Sequence, residues 1–275
     1  MFTFLKFIGA AIFLGTACPV FAQDTIALRS TSSPTIVPPF ITVFKPTVRS
    51  NGIAVVITSG GSYGRVANME EGYPAARKLQ EAGFTAFVLT YRTPQGRDTT
   101  PLSDAQVAIR YVKTNMKKYG IKKNRIGLMG FSAGGHLAST AGIHWREQFD
   151  TSRSDVNARP DFLVLVYPVI SFADSLTHQW SRNNFLGKDQ SPERIRHYSN
   201  EWQVDSLTPP TFIVHAIDDG VVKVENSLYL EAALRQKKVP VELFLYAKGN
   251  HGFGAFNHTA EVQWIDRCME WIRKQ

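Results

Sequence analysis

Cysteine is scarce in this sequence, whose 275 residues include only Cys18 and Cys268. Residues 1–22 have the pattern of a secretory signal peptide, with one basic residue, a short apolar run and an A-x-A-like site at residues 20–22. Cleavage there would leave Cys268 alone, which excludes an internal disulfide in the mature chain. Cys268 lies in an apolar-periodic segment, so we expect a buried small hydrophobe. No cysteine spacing typical of a metal site is present.

Long apolar runs are missing as well. The apolar run at residues 7–14 is too short to span a bilayer, so we expect no stable membrane insertion. The pattern instead predicts export to the periplasm or the cell exterior, with cleavage near Ala22. A second route is lipoprotein processing at Cys18, although Gly15 stands where a lipobox normally has a large apolar residue. The predicted mature domain is residues 23–275, a length that suits one α/β domain.

The positive charge lacks any concentrated patch. The formal net charge is +8, but the basic residues are scattered, and only Lys117-Lys118 and Lys122-Lys123 form clusters. No nucleic-acid-binding motif accompanies them, so no nucleic-acid partner is expected. A basic surface attracts acidic polymers at long range, and it also serves solubility alone. The sequence leaves the oligomeric state open.

Strand and helix patterns alternate along most of the chain. Apolar runs of strand length occur at residues 40–44, 53–58, 84–91, 125–131, 161–169, 211–217 and 241–247. Helical spacing occurs at residues 71–82, 101–119, 225–236 and 261–273. This alternation predicts a single α/β domain with a mainly parallel sheet and helices on both faces. The polar segment 171–208 breaks the rhythm, so we interpret it as a short inserted cap without a core of its own.

The strongest chemical signal is G-x-S-x-G at residues 130–134, between a strand pattern and a small-residue helix pattern. A serine in this context sits on a sharp strand-to-helix turn that exposes its hydroxyl. Gly130 and Gly134 allow the strand and the helix to pass close to the turn. Ser132 is therefore the predicted nucleophile.

A serine nucleophile needs a base, and the base needs a carboxylate that orients it. In parallel sheets such partners lie just beyond the carboxyl ends of strands. His251 follows the strand pattern 241–247 in a glycine-rich loop, and we predict that it is the base. Asp218 and Asp219 both follow the strand pattern 211–217, and spacing alone does not choose between them. The other aspartate is expected to form a turn.

Two further histidines and a glycine-rich turn complete the set of candidates. His136 lies one turn beyond the serine on its helix, and His215 lies within a strand, so both are expected to be buried. The backbone N–H of Ala133, the residue after the nucleophile, is the first expected oxyanion donor. The second donor is expected from the turn Ser59-Gly60-Gly61-Ser62, which directly follows a strand pattern.

These segments resemble the α/β-hydrolase esterases, specifically the acetyl-xylan-esterase-like carbohydrate esterases related to hormone-sensitive-lipase-type enzymes. The resemblance extends over most of residues 50–272. It rests on eight ordered blocks, SGGSYG, EGYPAA, LTYR, GFSAGGHLA, YPVIS, PPTFIVHAIDD, VENSLYL and GNHGFG. It implies the α/β-hydrolase fold and assigns the acid to Asp219, the fifth residue of an H-[GA]-x-x-D segment.

The resemblance also implies the rest of the site. The oxyanion donors beside Ala133 would be Gly61 and Ser62. Ser59 and Ser62 depart from the family pattern, since they replace its usual His or Pro and its third Gly. Lys223 stands where the family often has proline.

The implied activity is that of a serine esterase that removes acetyl groups from xylan-type polysaccharides or oligosaccharides. No metal or cofactor is implied, and the expected partner is the acetylated carbohydrate. Tyr63, Trp180 and Trp202 are candidate substrate contacts, and Phe185 is a fourth aromatic candidate in the cap. Aromatic side chains in the cap equally suit its own packing.

Other functions remain open at this point. A feruloyl or short-chain lipid esterase, or a serine peptidase, would use the same nucleophile. A peptidase of this fold usually carries a large extra domain, for which the length leaves no room. A carbohydrate-binding protein that kept the fold without catalysis is a different class, and the presence of all three triad candidates argues against it.

Overall fold

A computed structural model describes residues 23–29, 37–94, 99–150 and 155–275. The predicted signal peptide, residues 1–22, and Cys18 lie outside the described residues. Among the helices that are described, none is long and apolar enough to cross a membrane. Cys268 is fully buried, as its periodic surroundings predict.

One sheet of eight strands forms the centre of the molecule. The strands are β1 Asp24–Ala27, β2 Phe40–Phe44, β3 Ala54–Thr58, β4 Thr85–Thr90, β5 Ile126–Phe131, β6 Phe162–Val166, β7 Thr211–Ala216 and β8 Val241–Tyr246. Their order in the sheet is β1-β2-β4-β3-β5-β6-β7-β8. The β1–β2 and β2–β4 pairs are antiparallel, and all other pairs are parallel. The predicted mainly parallel sheet is confirmed.

Four adjacent strands of the sheet, β3, β5, β6 and β7, are buried over their whole length. Every residue of β3, β5, β6 and β7 is buried, which explains why their sequences are nearly continuous apolar runs rather than alternating patterns. The edge strand β8 is only partly covered. The other edge strand, β1, is short and mostly exposed, and none of the apolar runs of strand length in the sequence includes it.

The helices lie on both faces of the sheet, as expected. They are α1 Tyr73–Glu81, α2 Thr99–Thr114, α3 Met116–Tyr119, α4 Ser132–Ile143, α5 Gln179–Leu186, α6 Pro192–His197, α7 Glu225–Gln236 and α8 Trp264–Lys274. Apolar residues of α2, α4 and α7 join one core cluster, and those of α1 and α8 join the other. Helices α1, α2, α7 and α8 therefore each bury one apolar stripe against the sheet, whereas α4 is buried on all sides.

Several helix boundaries differ from the periodic pattern, and two of the differences have a visible structural basis. The predicted helix 101–119 is interrupted at Asn115, whose Nδ2 donates to the Tyr111 carbonyl at 2.8 Å. Such a side chain competes with the backbone for its acceptors and favours a break in the helix. The predicted start of α1 at residue 71 falls instead in a π-helical turn, Asn68–Gly72, which precedes the helix.

The inserted segment 171–208 contains α5, α6 and a 3₁₀ turn, Asn200–Trp202. Its buried aromatic side chains Phe185 and Tyr198 pack into the core cluster on the α4 side of the sheet. Asn226 of α7 holds the start of the segment, because its side-chain oxygen accepts the N–H groups of Ile170 and Ser171. The segment therefore shares the core of the main domain.

Candidate active site

The nucleophile turn is shaped by close packing between α4 and the sheet. Ser132 follows directly after β5 and has a φ of 50°, a strained conformation for a non-glycine residue. A Cβ at Gly130 would lie 2.1 Å from the Gly134 carbonyl oxygen, and one at Gly134 would lie 2.2 Å from the Thr58 carbonyl oxygen. Only glycine fits at either place, so the motif brings the first turn of α4 against β3.

A continuous hydrogen-bonded chain starts at Ser132. Its Oγ lies 2.9 Å from His251 Nε2, and His251 Nδ1 lies 2.7 Å from Asp219 Oδ2. The carboxylate is the acceptor for the Nδ1 proton, so Nε2 is left without a proton and accepts the serine hydroxyl. The three predicted side chains are therefore brought together in the order that a serine nucleophile requires.

Backbone and side-chain donors surround Asp219. Its Oδ1 accepts the N–H groups of Val221 and Val222, both at 2.8 Å, and its Oδ2 lies 3.1 Å from His215 Nε2. Burial alone would raise the pKa of Asp219, but the hydrogen bonds from His215 and His251 outweigh it and hold the pKa well below its usual range. The carboxylate is therefore ionised at neutral pH.

His215 has a contact with the acid that the sequence interpretation missed. It is fully buried in β7 as expected, but its Nε2 faces both Asp219 Oδ2 and the Val222 carbonyl, at 2.9 Å. Both partners are acceptors, so the proton lies on Nε2, and Nδ1 accepts from the Ser227 hydroxyl at 2.7 Å. The sequence feature that could have indicated this contact is the spacing of four residues between His215 and Asp219 at the end of a strand.

Asp218 points away from the acid position. Its Oδ1 accepts the backbone N–H of Asn250 at 2.8 Å, so it supports the loop that carries His251. Asp218 and Asp219 therefore face different partners, as successive residues leaving a strand should.

Two of the three predicted oxyanion donors, Gly61 and Ser62, line the cavity in front of Ser132. The Gly60 N–H is already donated to Glu71 Oε2 at 2.6 Å, so the adjacent Gly61 and Ser62 are the donors that remain in this loop. Both line a cavity of about 290 Å³ together with Ser132. Ala133, the third predicted donor, is the second residue of α4, where the first amides of a helix have no partner within it.

The serine that replaces the family's third glycine is accommodated at a cost. Ser62 has a φ of 56°, and a left-handed conformation costs a residue with a Cβ about 1–2 kcal/mol. Two contacts hold the loop in this shape. Asn184 of α5 donates to the Ser62 carbonyl at 2.8 Å, and the Gly61 carbonyl accepts the N–H groups of Gly64 and Arg65.

The prediction that Tyr63 contacts substrate is wrong. Its φ of 60° turns the side chain into the core, where it is only 1% exposed. Its hydroxyl lies 2.8 Å from His136 Nδ1, and His136 Nε2 donates to the Tyr198 carbonyl at 2.9 Å. Burial lowers the pKa of His136 to about 4, so the ring is neutral and Nδ1 accepts from Tyr63. His136 thus anchors the oxyanion loop.

The aromatic residues of the cap divide into three cases. Phe185 is fully buried and belongs to the core. Trp180 on α5 is 73% exposed, and it lies one helical turn before Asn184, which contacts the oxyanion loop. Trp202 is 46% exposed, but the Arg196 guanidinium lies 5.4 Å from its ring centre. Neither tryptophan lines the cavity that contains Ser132.

Several residues of this cavity were not singled out from the sequence. The lining consists of Gly61, Ser62, Arg65, Ala67, Glu70, Glu71, Ser132, His178, Val221, His251 and Gly252. Glu71 had been assigned to a helix, although it opens one of the eight quoted blocks. His178 lies in the cap, where no periodic pattern pointed to it. Both are polar groups that the cap and the oxyanion loop bring to the cavity.

One group of metal-ligating side chains lies together within the described part of the chain: His144, Glu147 and His197. His144 Nδ1 lies 2.6 Å from one Glu147 oxygen, and His197 Nε2 lies 3.4 Å from the other. A metal on Nδ1 would leave the proton on His144 Nε2, which is buried without an acceptor. An N–H···O bond from His144 to Glu147 fits better. His144 is twelve residues along α4 from Ser132, about 18 Å.

Fold and site together define the protein as a member of the α/β-hydrolase class with the serine, histidine and aspartate arrangement of a serine hydrolase. A solved structure with this fold, the acetyl ester-xyloside bifunctional hydrolase from Caldicellulosiruptor lactoaceticus, is 36% identical with a TM-score of 0.81, covering 91% of this chain and 96% of that one. The family model BD-FAE matches residues 41–234, and the chain belongs to this family.

Two curated relatives are longer than this chain. The acetylxylan esterase of Xylanibacter ruminicola is 40% identical over 208 residues, which are 74% of this chain and 42% of the relative. Endo-1,4-beta-xylanase B of Butyrivibrio fibrisolvens is 35% identical over 216 residues, which are 76% of this chain and 34% of the relative. The chain thus spans less than half the length of either relative.

The two neighbouring aspartates provide a matched test of the site. We expect Asp219→Asn to lower kcat by about 10³- to 10⁴-fold, because an amide nitrogen cannot accept the His251 Nδ1 proton and favours the wrong tautomer. Asp218→Asn should stay within about fivefold, since its amide oxygen can still accept the Asn250 N–H. Steady-state hydrolysis of 4-nitrophenyl acetate measures both. Equal losses in the two variants would contradict the assignment of Asp219.

Proposed function

We propose that the protein is an exported serine esterase that removes acetyl or similarly small acyl groups from xylan-type polysaccharides or their oligosaccharides. One observation carries the proposal: an unbroken hydrogen-bonded chain runs from Ser132 through His251 to the ionised Asp219, beside a cavity lined by Gly61 and Ser62. Export rests on the signal-peptide pattern of residues 1–22.

The first half of the reaction forms an acyl-enzyme. His251 Nε2 takes the proton of the Ser132 hydroxyl as Oγ attacks the ester carbonyl carbon. The carbonyl oxygen becomes an oxyanion, which accepts hydrogen bonds from the N–H groups of Gly61, Ser62 and Ala133. Each of these donors lowers the activation barrier by roughly 3 kcal/mol. Asp219 stabilises the imidazolium. His251 then protonates the departing sugar oxygen, the C–O bond breaks, and the acyl group remains on Ser132.

The second half regenerates the serine. A water molecule gives its proton to His251 Nε2 and attacks the acyl carbon, which forms a second oxyanion in the same place. This intermediate collapses, His251 returns the proton to Ser132 Oγ, and the carboxylic acid leaves. The same hydrogen-bonded chain therefore serves both steps.

Two features support an acetylated carbohydrate as the substrate. Two of the relatives described above act on acetylxylan or acetyl esters by their names, and a third is a xylanase. The cavity of about 290 Å³ suits a small acyl group, and its lining includes the exposed ion pair between Arg65 and Glu70. Charged side chains at the mouth of a small cavity favour a hydroxyl-rich leaving group over an apolar chain.

Acetate release from acetylated xylan tests this function. The wild type should release acetate, and Ser132→Ala should abolish the release because no other group can carry the acyl intermediate. 4-Nitrophenyl acetate, 4-nitrophenyl butyrate and methyl ferulate are measured beside it. Ser132-dependent hydrolysis of the synthetic esters without acetate release would move the substrate elsewhere, and preference for methyl ferulate would identify a feruloyl esterase. Binding of xylan without hydrolysis of any of these esters would contradict the proposed enzymatic function.

We further propose that Trp180 provides a sugar-stacking surface beside the cavity. Its ring is 73% exposed on the helix whose Asn184 holds the oxyanion loop. A large apolar face left in water at this position suits the apolar face of a pyranose ring. We do not propose this role for Trp202, because its turn contacts α4 through Asn200, which bonds to Ser139 and Thr140 about two turns away from Ser132.

The two tryptophans form a matched pair of variants. We expect Trp180→Ala to raise KM for acetylated xylo-oligosaccharides by about three- to tenfold, because stacking contributes roughly 0.5–1.5 kcal/mol. Its kcat/KM for 4-nitrophenyl acetate should stay unchanged, since that ester carries no sugar. Trp202→Ala should leave both values as they are. Equal effects of the two variants on the oligosaccharide would contradict a stacking role for Trp180.

A further inference from the structure

A buried carboxyl group lies beside the nucleophile and takes no part in the mechanism above. Glu71 is only 7% exposed, although it lines the cavity with Ser132 and His251. A carboxyl group in such a place is costly unless donors surround it. Both of its oxygens have donors, and each donor belongs to a different active-site loop.

The first oxygen holds the oxyanion loop. Glu71 Oε2 accepts the N–H of Gly60 at 2.6 Å. Gly60 is wedged against the nucleophile, because a Cβ at this position would lie 2.8 Å from Ser132 Cβ and 3.1 Å from Glu71 Oε2. The next two residues along the chain, Gly61 and Ser62, are the oxyanion donors. The position of the Gly60 amide therefore sets where those donors point.

The second oxygen holds the loop that carries the base. Glu71 Oε1 accepts the hydroxyl of Tyr167 at 3.1 Å, and the Tyr167 oxygen accepts the N–H of Gly254 at 3.1 Å. The ring of Tyr167 packs against His251 with a centroid distance of 4.8 Å. Tyr167 follows β6, is fully buried and has a φ of 36°. One tyrosine thus links Glu71 to both ends of the short stretch from His251 to Gly254.

In both hydrogen bonds of Glu71 the partner is the donor: the Gly60 N–H in one and the Tyr167 hydroxyl in the other. The Tyr167 oxygen already accepts from Gly254, so its own proton is directed to Glu71. Both Glu71 oxygens therefore act as acceptors. Burial raises the pKa of Glu71, while the bonds from Gly60 and Tyr167 and the nearby His251 oppose that rise.

We propose that Glu71 is a positioning residue for ester hydrolysis: through the Gly60 amide and the Tyr167 hydroxyl it fixes the oxyanion loop and the His251 loop relative to Ser132. This role rests on the proposed function only in requiring a Ser132-dependent esterase. Misplacement of catalytic groups by about 1 Å can cost 10²-fold in rate. A group that sets geometry without touching the ester should change kcat and leave KM nearly constant.

The test compares Glu71→Gln, Glu71→Ala, Tyr167→Phe and the double variant Glu71→Gln/Tyr167→Phe on 4-nitrophenyl acetate. The glutamine oxygen can keep the Gly60 bond, but its NH₂ cannot accept from Tyr167. Glu71→Gln and Tyr167→Phe should therefore each lower kcat by about tenfold, with KM within about twofold. The double variant should resemble either single one, because both lose the same link. Glu71→Ala loses both links, and we expect about 100-fold.

Two control variants separate positioning from general loss of packing. Glu201 is another buried carboxyl group, which accepts the Ser171 hydroxyl at 2.6 Å and does not line the cavity. The hydroxyl of Tyr111 on α2 lies 3.1 Å from the hydroxyl of Tyr119 on α3. Glu201→Gln and Tyr111→Phe should lower the melting temperature by amounts similar to their counterparts and keep kcat within about twofold.

Three results would overturn the proposal. The first is a lowered melting temperature with unchanged kcat in Glu71→Gln and Tyr167→Phe, which would make the network structural only. The second is a raised KM at constant kcat, which would mean that Glu71 contacts the substrate. The third is an additive double variant. If Glu71→Ala does not fold, Glu71→Gln, Tyr167→Phe and the double variant still test the proposal. The proposed substrate fails separately, when wild type hydrolyses 4-nitrophenyl acetate but releases no acetate from acetylated xylan.

Discussion

The contact between the first turn of α4 and the end of β3 is the constraint on which the site depends. Gly134 sits so close to the Thr58 carbonyl that a Cβ would approach it to 2.2 Å. Because helix and sheet meet at this distance, the chain has no room for a gradual turn, and Ser132 is held at a φ of 50°. Its hydroxyl is thereby placed beyond the carboxyl ends of the parallel strands, where the loops after β3, β7 and β8 converge.

The loops that meet Ser132 are each fixed by a buried polar group. Asp219 is held by two backbone amides and by His215, so it can orient His251 without moving itself. His136 accepts a hydrogen bond from the hydroxyl of Tyr63 and thereby fixes one end of the oxyanion loop. Glu71 fixes the other end through Gly60. The reacting groups are therefore supported by side chains that never meet the ester, which is how preorganised sites keep their geometry.

Parts of this arrangement follow from the sequence because local rules determine them. Strands buried on both faces are apolar throughout, and the glycines around Ser132 have a steric reason that any strand-to-helix turn shares. The position of His251 after a strand also follows from parallel-sheet geometry. The choice between Asp218 and Asp219 needed the family resemblance, since both leave the same strand and only their distant partners differ.

Other parts depend on tertiary contacts that the local sequence does not encode. The positive φ of Ser62 and Tyr63 reverses the expected direction of the tyrosine, so Tyr63 turned inward rather than toward substrate. The helical spacing of residues 71–82 gave no indication that Glu71 lines a cavity, where the π-helical turn Asn68–Gly72 places it. In the cap, α5 and α6 are too short and polar for a periodic signal and gain their stability from the core beneath them.

The central claim is that Ser132 is a nucleophile activated by His251. Its most direct test is active-site labelling with a fluorophosphonate, followed by peptide mass spectrometry on the wild type and on His251→Ala. The account predicts one adduct, on Ser132, which forms rapidly in the wild type and far more slowly without His251. An adduct on another residue, or labelling of Ser132 at the same rate in both proteins, would contradict it.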